Sequence, residues 1–151
     1  MSASDVGASL ALWAAAASAL IALQSPAEPF DLRAGQSATL QIRGAEVVLR
    51  FERVTADSRC PVGATCIWEG DAVVRVVVTA HARTATHDLH TNPRFEQERD
   101  HEGIRVRLLK LEPHPRVDEA VEPQDYVATF VLEPESRAGG NGKEGSRNPG
   151  P

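Results

Sequence analysis

Between residues 38 and 132 apolar and polar side chains alternate with a period of two, the repeat of a half-buried β-strand and not of an amphipathic helix. Ala38, Leu40 and Ile42 alternate with Thr39, Gln41 and Arg43, and Val47, Leu49 and Phe51 alternate with Val48, Arg50 and Glu52. Gly44-Ala45-Glu46 between them reads as a turn, so the two runs are predicted to form a hairpin. Ala72 to Ala80 places Val74, Val76 and Val78 on one face, while Val73 and Val77 leave the other face only partly polar, which predicts a central strand. Thr84 to Leu89 returns as a shorter, more polar strand. Ile104 to Leu108 alternates cleanly until the pattern slips at Leu109-Lys110-Leu111, the mark of a β-bulge. In the last run Tyr126, Ala128, Phe130 and Leu132 share a face and Pro134 ends it. The prediction is an all-β domain, an antiparallel β-sandwich or small barrel of about six or seven strands, with no helix in this part of the chain.

The two ends break the pattern. Ala8 to Leu23 is an apolar run of signal-peptide length, short of the ~20 residues a membrane-spanning helix needs. Ser25 and Ala27 follow with the spacing signal peptidase prefers, so residues 1–27 read as a signal helix and Glu28 as the mature start. No Lys or Arg precedes the run, an atypical feature for a secretory leader, and a buried Ala-rich helix or an uncleaved anchor are the alternatives. Residues 135–151 are rich in Gly, Pro and charge and are expected to be disordered, because they bury too little apolar surface to offset ordering entropy. Residues 28–134 remain as one β-domain of about 105 residues, near the usual domain size.

Charge narrows the partners. With 16 Lys and Arg against 21 Asp and Glu, the formal net charge of -5 opposes non-specific nucleic-acid binding, and no basic cluster interrupts the chain. No Gly-rich phosphate loop follows a strand.

The distinctive chemistry lies in Asp57 to Gly70, which holds both cysteines, a tryptophan and several turn formers. In an exported chain Cys60 and Cys66 are most simply a disulfide, whose small ring fixes the local loop more than the global fold, contributing on the order of 2 kcal/mol. Their spacing suits neither a zinc pair nor a redox-active pair. Pro61 stiffens the ring, Gly63 supplies a positive φ at its tip, and Gly70-Asp71 turns the chain into the valine strand. Asp57 can form an Asx-turn, and Arg59 can pair with Asp57 or lie over Trp68. One reading of the segment is a packed corner in which Trp68 shields the disulfide. In the other, Arg59, Val62, Thr65, Trp68 and Glu69 form a preformed recognition surface.

Asp57-Ser58-Arg59-Cys60-Pro61 followed by Cys66-Ile67-Trp68-Glu69-Gly70 resembles a family of small exported bacterial proteins, many of them lipoproteins. The resemblance extends to the strand after the loop and loosely to Leu111-Glu112-Pro113 and Tyr126 to Leu132. It implies an envelope or secreted location and a β-rich domain, and carries no reaction or ligand. The cysteine that lipidation requires is missing after the leader.

Three other chemistries have candidate residues in the chain. His81, His87, His90, His101 and His114 invite a copper or zinc site, with His81, His87 and His90 the weak candidates. Residues three apart in a strand face opposite ways, so His87 and His90 converge only at a bulge, whereas His81 and His87 can meet across a hairpin. Asp57, Glu69 and Asp71 can offer oxygen ligands to calcium, without a recognised loop spacing. Ser58 with a histidine and an aspartate is the only formal triad, and it lacks a nucleophile elbow. The expectation is therefore a non-enzymatic periplasmic or secreted β-sandwich, without cofactor, that binds an envelope protein or small ligand or serves a structural role. A metal-binding domain over His81 to His114 and a protease inhibitor presenting the Cys60–Cys66 loop, with Arg59 entering a trypsin-like pocket, are the alternatives.

Overall fold

A computed structural model describes residues 27–136; the segment read as a leader, but for Ala27, and nearly all of the segment expected to be a disordered tail lie outside them. Eight strands follow in order: β1 Phe30–Arg33, β2 Ser37–Ile42, β3 Ala45–Asp57, β4 Ala72–Ala80, β5 Arg83–His90, β6 Glu98–His101, β7 Ile104–Glu112 and β8 Val127–Pro134. They form two antiparallel four-stranded sheets, β1-β8-β7-β6 and β2-β3-β4-β5, that do not close into a barrel. A single 3-10 turn at Pro123–Asp125 precedes β8.

The inward positions read from the sequence are the core. Val47, Leu49, Phe51, Val74, Val76 and Val78 are fully buried from one sheet, and Val106, Ala128 and Phe130 from the other. Phe51 and Phe130 meet edge to face across the interior, ring centroids 6.0 Å apart, an arrangement aromatic quadrupoles favour. β4 is interior to its sheet, between β3 and β5, as its two-sided valine pattern requires. The slip in β7 is a register shift between Leu108 and Lys110, which turns Leu109 out to solvent and returns Leu111 to the core.

Two departures from the alternation pattern have physical causes. The β2–β3 turn is Arg43-Gly44, with φ of 51° and 79°, and Ala45 already belongs to β3; two successive positive φ values match the twist of the hairpin better than a longer loop does. β1 and β6 raise the strand number above the expected range. β6 is Glu-Arg-Asp-His, with no apolar residue to alternate, and is held to β7 by pairings such as Arg107 Nε donating to Glu98 at 2.7 Å.

The ends of the sandwich differ. At one end the hairpins β2–β3, β4–β5 and β6–β7 close through the two-residue turns Arg43-Gly44, His81-Ala82 and Glu102-Gly103, every residue of which has positive φ. At the other end the connections β3–β4, β5–β6 and β7–β8 are long, and these carry the residues of interest.

Candidate functional site

Asp57 ends β3 and starts the disulfide loop. Its Oδ1 accepts the Arg59 backbone N–H at 3.2 Å, the Asx-turn expected of it. The Arg59 guanidinium grips the same carboxylate through two bonds, Nε to Oδ1 at 2.9 Å and Nη2 to Oδ2 at 2.7 Å. Its remaining donors reach into the β7–β8 connection, Nη1 to the Leu111 carbonyl at 2.7 Å and Nη2 to the Pro113 carbonyl at 2.9 Å. From the start of β8 the Tyr126 hydroxyl donates to Asp57 Oδ2 at 2.9 Å. The side chain of Arg59 is 7% exposed and that of Asp57 11%, so this is a desolvated ion pair whose geometry satisfies both partners.

The electrostatics follow. Burial alone raises the Asp57 pKa, but the hydrogen bonds and charge of Arg59 and the Tyr126 hydroxyl outweigh it and hold the carboxyl below its usual range. Burial, then the hydrogen bond and negative charge of Asp57, push the Tyr126 hydroxyl up to about 12.

A second network anchors the far end of the loop. Asp71 Oδ2 is 2.6 Å from His90 Nδ1, while Oδ1 accepts the backbone N–H groups of Thr91 at 3.1 Å and Asn92 at 3.0 Å. Asn92 is buried; its Nδ2 donates to the Gly70 carbonyl at 2.8 Å and its Oδ1 accepts the Arg94 N–H at 3.0 Å. The Ser58 hydroxyl donates to the Asp71 carbonyl at 3.0 Å and lies 3.2 Å from the Asp71 N–H, which commits it to loop structure. Asp57 and Asp71, considered as calcium ligands, are thus each occupied by protein donors.

Cys60 and Cys66 form a disulfide. The ring is docked to the β7–β8 connection by Val62 N–H donating to the Pro115 carbonyl at 2.8 Å, and by His114 Nε2 at 2.8 Å from the Cys60 carbonyl. The β3–β4 connection is therefore fastened to the other two long connections by hydrogen bonds, to β7–β8 through Arg59, Cys60 and Val62 and to β5–β6 through Gly70 and Asp71, while the disulfide clamps it on itself.

Their outer surface carries exposed apolar side chains among polar and charged ones. Among the described residues the exposed large hydrophobics are Val62, Ile67, Trp68, Phe95, Leu109 and Val117. Every one lies on these connections or on the neighbouring bulge of β7. Beside Leu109 runs a groove of about 280 Å³ lined by Arg59, Asn92 and Leu108 and by Glu69, Lys110 and His114. A smaller cavity of about 130 Å³, sharing Glu69 and Asn92, is walled by Ile67, Trp68 and Arg94.

Of the residues expected to present a recognition surface, Val62, Thr65, Trp68 and Glu69 are exposed. Arg59 sits beneath them and pairs with Asp57, the alternative to stacking on the indole. Trp68 is 48% exposed and Cys66 is exposed as well, so the indole contributes to the surface. Leu109, read from the sequence as a bulge, joins this surface. The exposure of Ile67 and Phe95 and the Asp71–His90–Asn92 network carry no local sequence signal, since the network joins residues about twenty apart in the chain.

The histidines are dispersed. His81 occupies the β4–β5 turn, His87 pairs with Val76 and faces inward, and His90 lies on the opposite side bound to Asp71. The β4–β5 register leaves His81 and His87 apart; His87 instead meets His101 of β6, ring centroids 5.8 Å apart. No group of three metal-ligating side chains is assembled among the described residues. Comparison with protein families, curated proteins and solved structures finds no match to this chain.

Proposed function

We propose that this chain is an exported β-sandwich that works as a binding module, with the loop end as its recognition face. The carrying observation is that, among the described residues, the exposed large hydrophobics are confined to the hydrogen-bonded loop end and the adjoining bulge of β7. A solvated loop has no need of Ile67 standing fully in water beside Trp68, whereas an interface core does. Pre-fastened loops also lose little entropy when a partner docks. The disulfide and the resemblance of the Asp57–Gly70 segment to exported envelope proteins support a periplasmic or secreted setting.

The geometry favours this reading over the alternatives. An inhibitor must offer its arginine to the protease, and the Arg59 donors are held by Asp57, Leu111 and Pro113. A histidine metal site requires convergence, and His81, His87 and His90 point to three different surroundings.

A photo-crosslinking residue placed at Ile67, with Glu102 in the tight-turn end as control, tests the proposal in envelope preparations of the producing cell. A discrete adduct from position 67 and none from 102 is expected. Equal labelling from both positions, or none from 67, refutes the assignment of the face.

A further inference from the structure

Along one side of the sandwich the two sheets meet through their edge strands, β5 and β6. The inner face is not apolar there. His87 stands opposite Val76 of β4, and from β6 Arg99 and His101 share the inner face with their buried partners Val106 and Ile104. The His87 and His101 rings meet edge to face with centroids 5.8 Å apart. His101 Nε2 donates to the Arg83 carbonyl at 3.0 Å, and the Arg83 guanidinium lies 3.6 Å from Glu102. Polar contacts therefore join β5 to the β6–β7 hairpin along this seam.

His87 Nε2 is buried and, among the described residues, has no hydrogen-bond partner. A neutral ring protonated on Nδ1 leaves only a lone pair unmet at that position. An imidazolium puts a charged N–H there with no acceptor, a far larger desolvation cost. The surroundings oppose the charge as well. His101 and Arg99 face the ring from β6, Arg99 being paired with Glu96, and Val76 across from it in β4 has no acceptor side chain. Asp88, the neighbouring carboxylate in β5, is turned to the other face and held by two bonds from Arg75 at 2.8 Å. Burial first, then His101 and Arg99, accordingly lower the His87 pKa against a smaller opposing effect of Asp88.

We propose that His87 and His101 form an acid-sensitive latch: proton uptake by His87 expels its ring from between the sheets and frees β6 from β5 while the rest of the sandwich stays folded. β6 is the element able to leave. It is four residues long, pairs with β7 alone, and contributes no residue to the hydrophobic core. The opened state takes up a proton at the ordinary histidine value near ~6.5, whereas the closed state resists it. Opening therefore grows as pH falls below ~6.5, by up to about tenfold per pH unit, until the closed ring itself is protonated.

Amide hydrogen exchange of the full chain from about pH 8 to about pH 5, corrected for the intrinsic exchange rate, tests the latch. His101 and Ile104 flank the two-residue turn Glu102-Gly103 and so exchange both hydrogen bonds, which places the Arg99 and His101 N–H groups in the β7 ladder as reporters. Their protection is expected to lie below that of the core strands β3 and β4 and to fall by up to about tenfold per pH unit below ~6.5. In His87→Phe or His87→Gln, which cannot titrate, the β6 protection should no longer change with pH. Protection of β6 that is independent of pH in the unmodified chain, that equals the core at every pH, or that still falls in both variants overturns the proposal.

Discussion

The Tyr126 hydroxyl, at the head of β8 in one sheet, donates at 2.9 Å to the Asp57 carboxylate at the end of β3 in the other. Because Asp57 also holds Arg59, this contact joins the two sheets to the disulfide loop and the β7–β8 connection. Arg59→Ala strands a desolvated carboxylate and is expected to cost about 3–5 kcal/mol. Tyr126→Phe removes one hydrogen bond and is expected to cost about 1 kcal/mol. Urea unfolding of the two variants checks the ordering; equal small losses contradict a buried ion pair at this position.

Gly70 passes so close to Ser58 that an added Cβ would stand 1.9 Å from the Ser58 carbonyl oxygen, and its φ is +75°. Gly70→Ala therefore meets both a backbone collision and a left-handed conformation, and a loss of about 3 kcal/mol or more is expected. Gly63, at φ +96°, has only a Val117 methyl at 3.5 Å, so Gly63→Ala is expected to cost about 1 kcal/mol. Thermal melts of the two variants separate collision from conformation.

Stability should change with pH in three windows. Asp57 is held below its ordinary value when folded, so its contribution is present above pH ~4 and is lost as pH falls through the folded pKa. Burial, with His101 and Arg99 adding to it, lowers the His87 pKa, against a smaller opposing effect of Asp88. The unfolded chain therefore binds a proton there that the folded one resists, and stability declines as pH falls below ~6.5. Tyr126 titrates at about 12 when folded and near ~10 when unfolded. It contributes stability that is lost as pH rises between those values. Chemical denaturation across pH, with His87→Gln and Tyr126→Phe, should remove the middle and upper windows respectively.

The inward faces of β2, β3, β4, β7 and β8 were legible because alternation is itself the consequence of one buried face. The bulge at Leu109 was legible for the same reason, as a slip in that alternation. β6 was not, since its four residues are polar and its place depends on cross-strand pairs with Arg105 and Arg107. Within the site, the cysteine clamp and the Asp57 Asx-turn were readable because they are local. The burial of Arg59 was not: its carbonyl partners Leu111 and Pro113 are distant in sequence. An arginine flanked by serine and cysteine looks like a surface residue until those partners are known.

The His81-Ala82 turn places two residues other than glycine at positive φ, 49° and 60°. The other two-residue turns both end on glycine. Ala82→Gly relieves a left-handed alanine at the cost of some unfolded-state entropy, and a net gain of about 0.5 kcal/mol is expected. Denaturant midpoints check it; a loss of stability contradicts the reading of this turn.

The recognition face is tested most directly by pairing stability with contact in a single variant, Ile67→Ser with Trp68→Ser, carrying a photo-crosslinker at neighbouring Thr65. Both side chains stand exposed at the loop end, so the melting temperature should be unchanged while the adduct formed from Thr65 in the parent chain disappears. An adduct of undiminished yield, with the fold intact, contradicts a recognition role for this apolar surface.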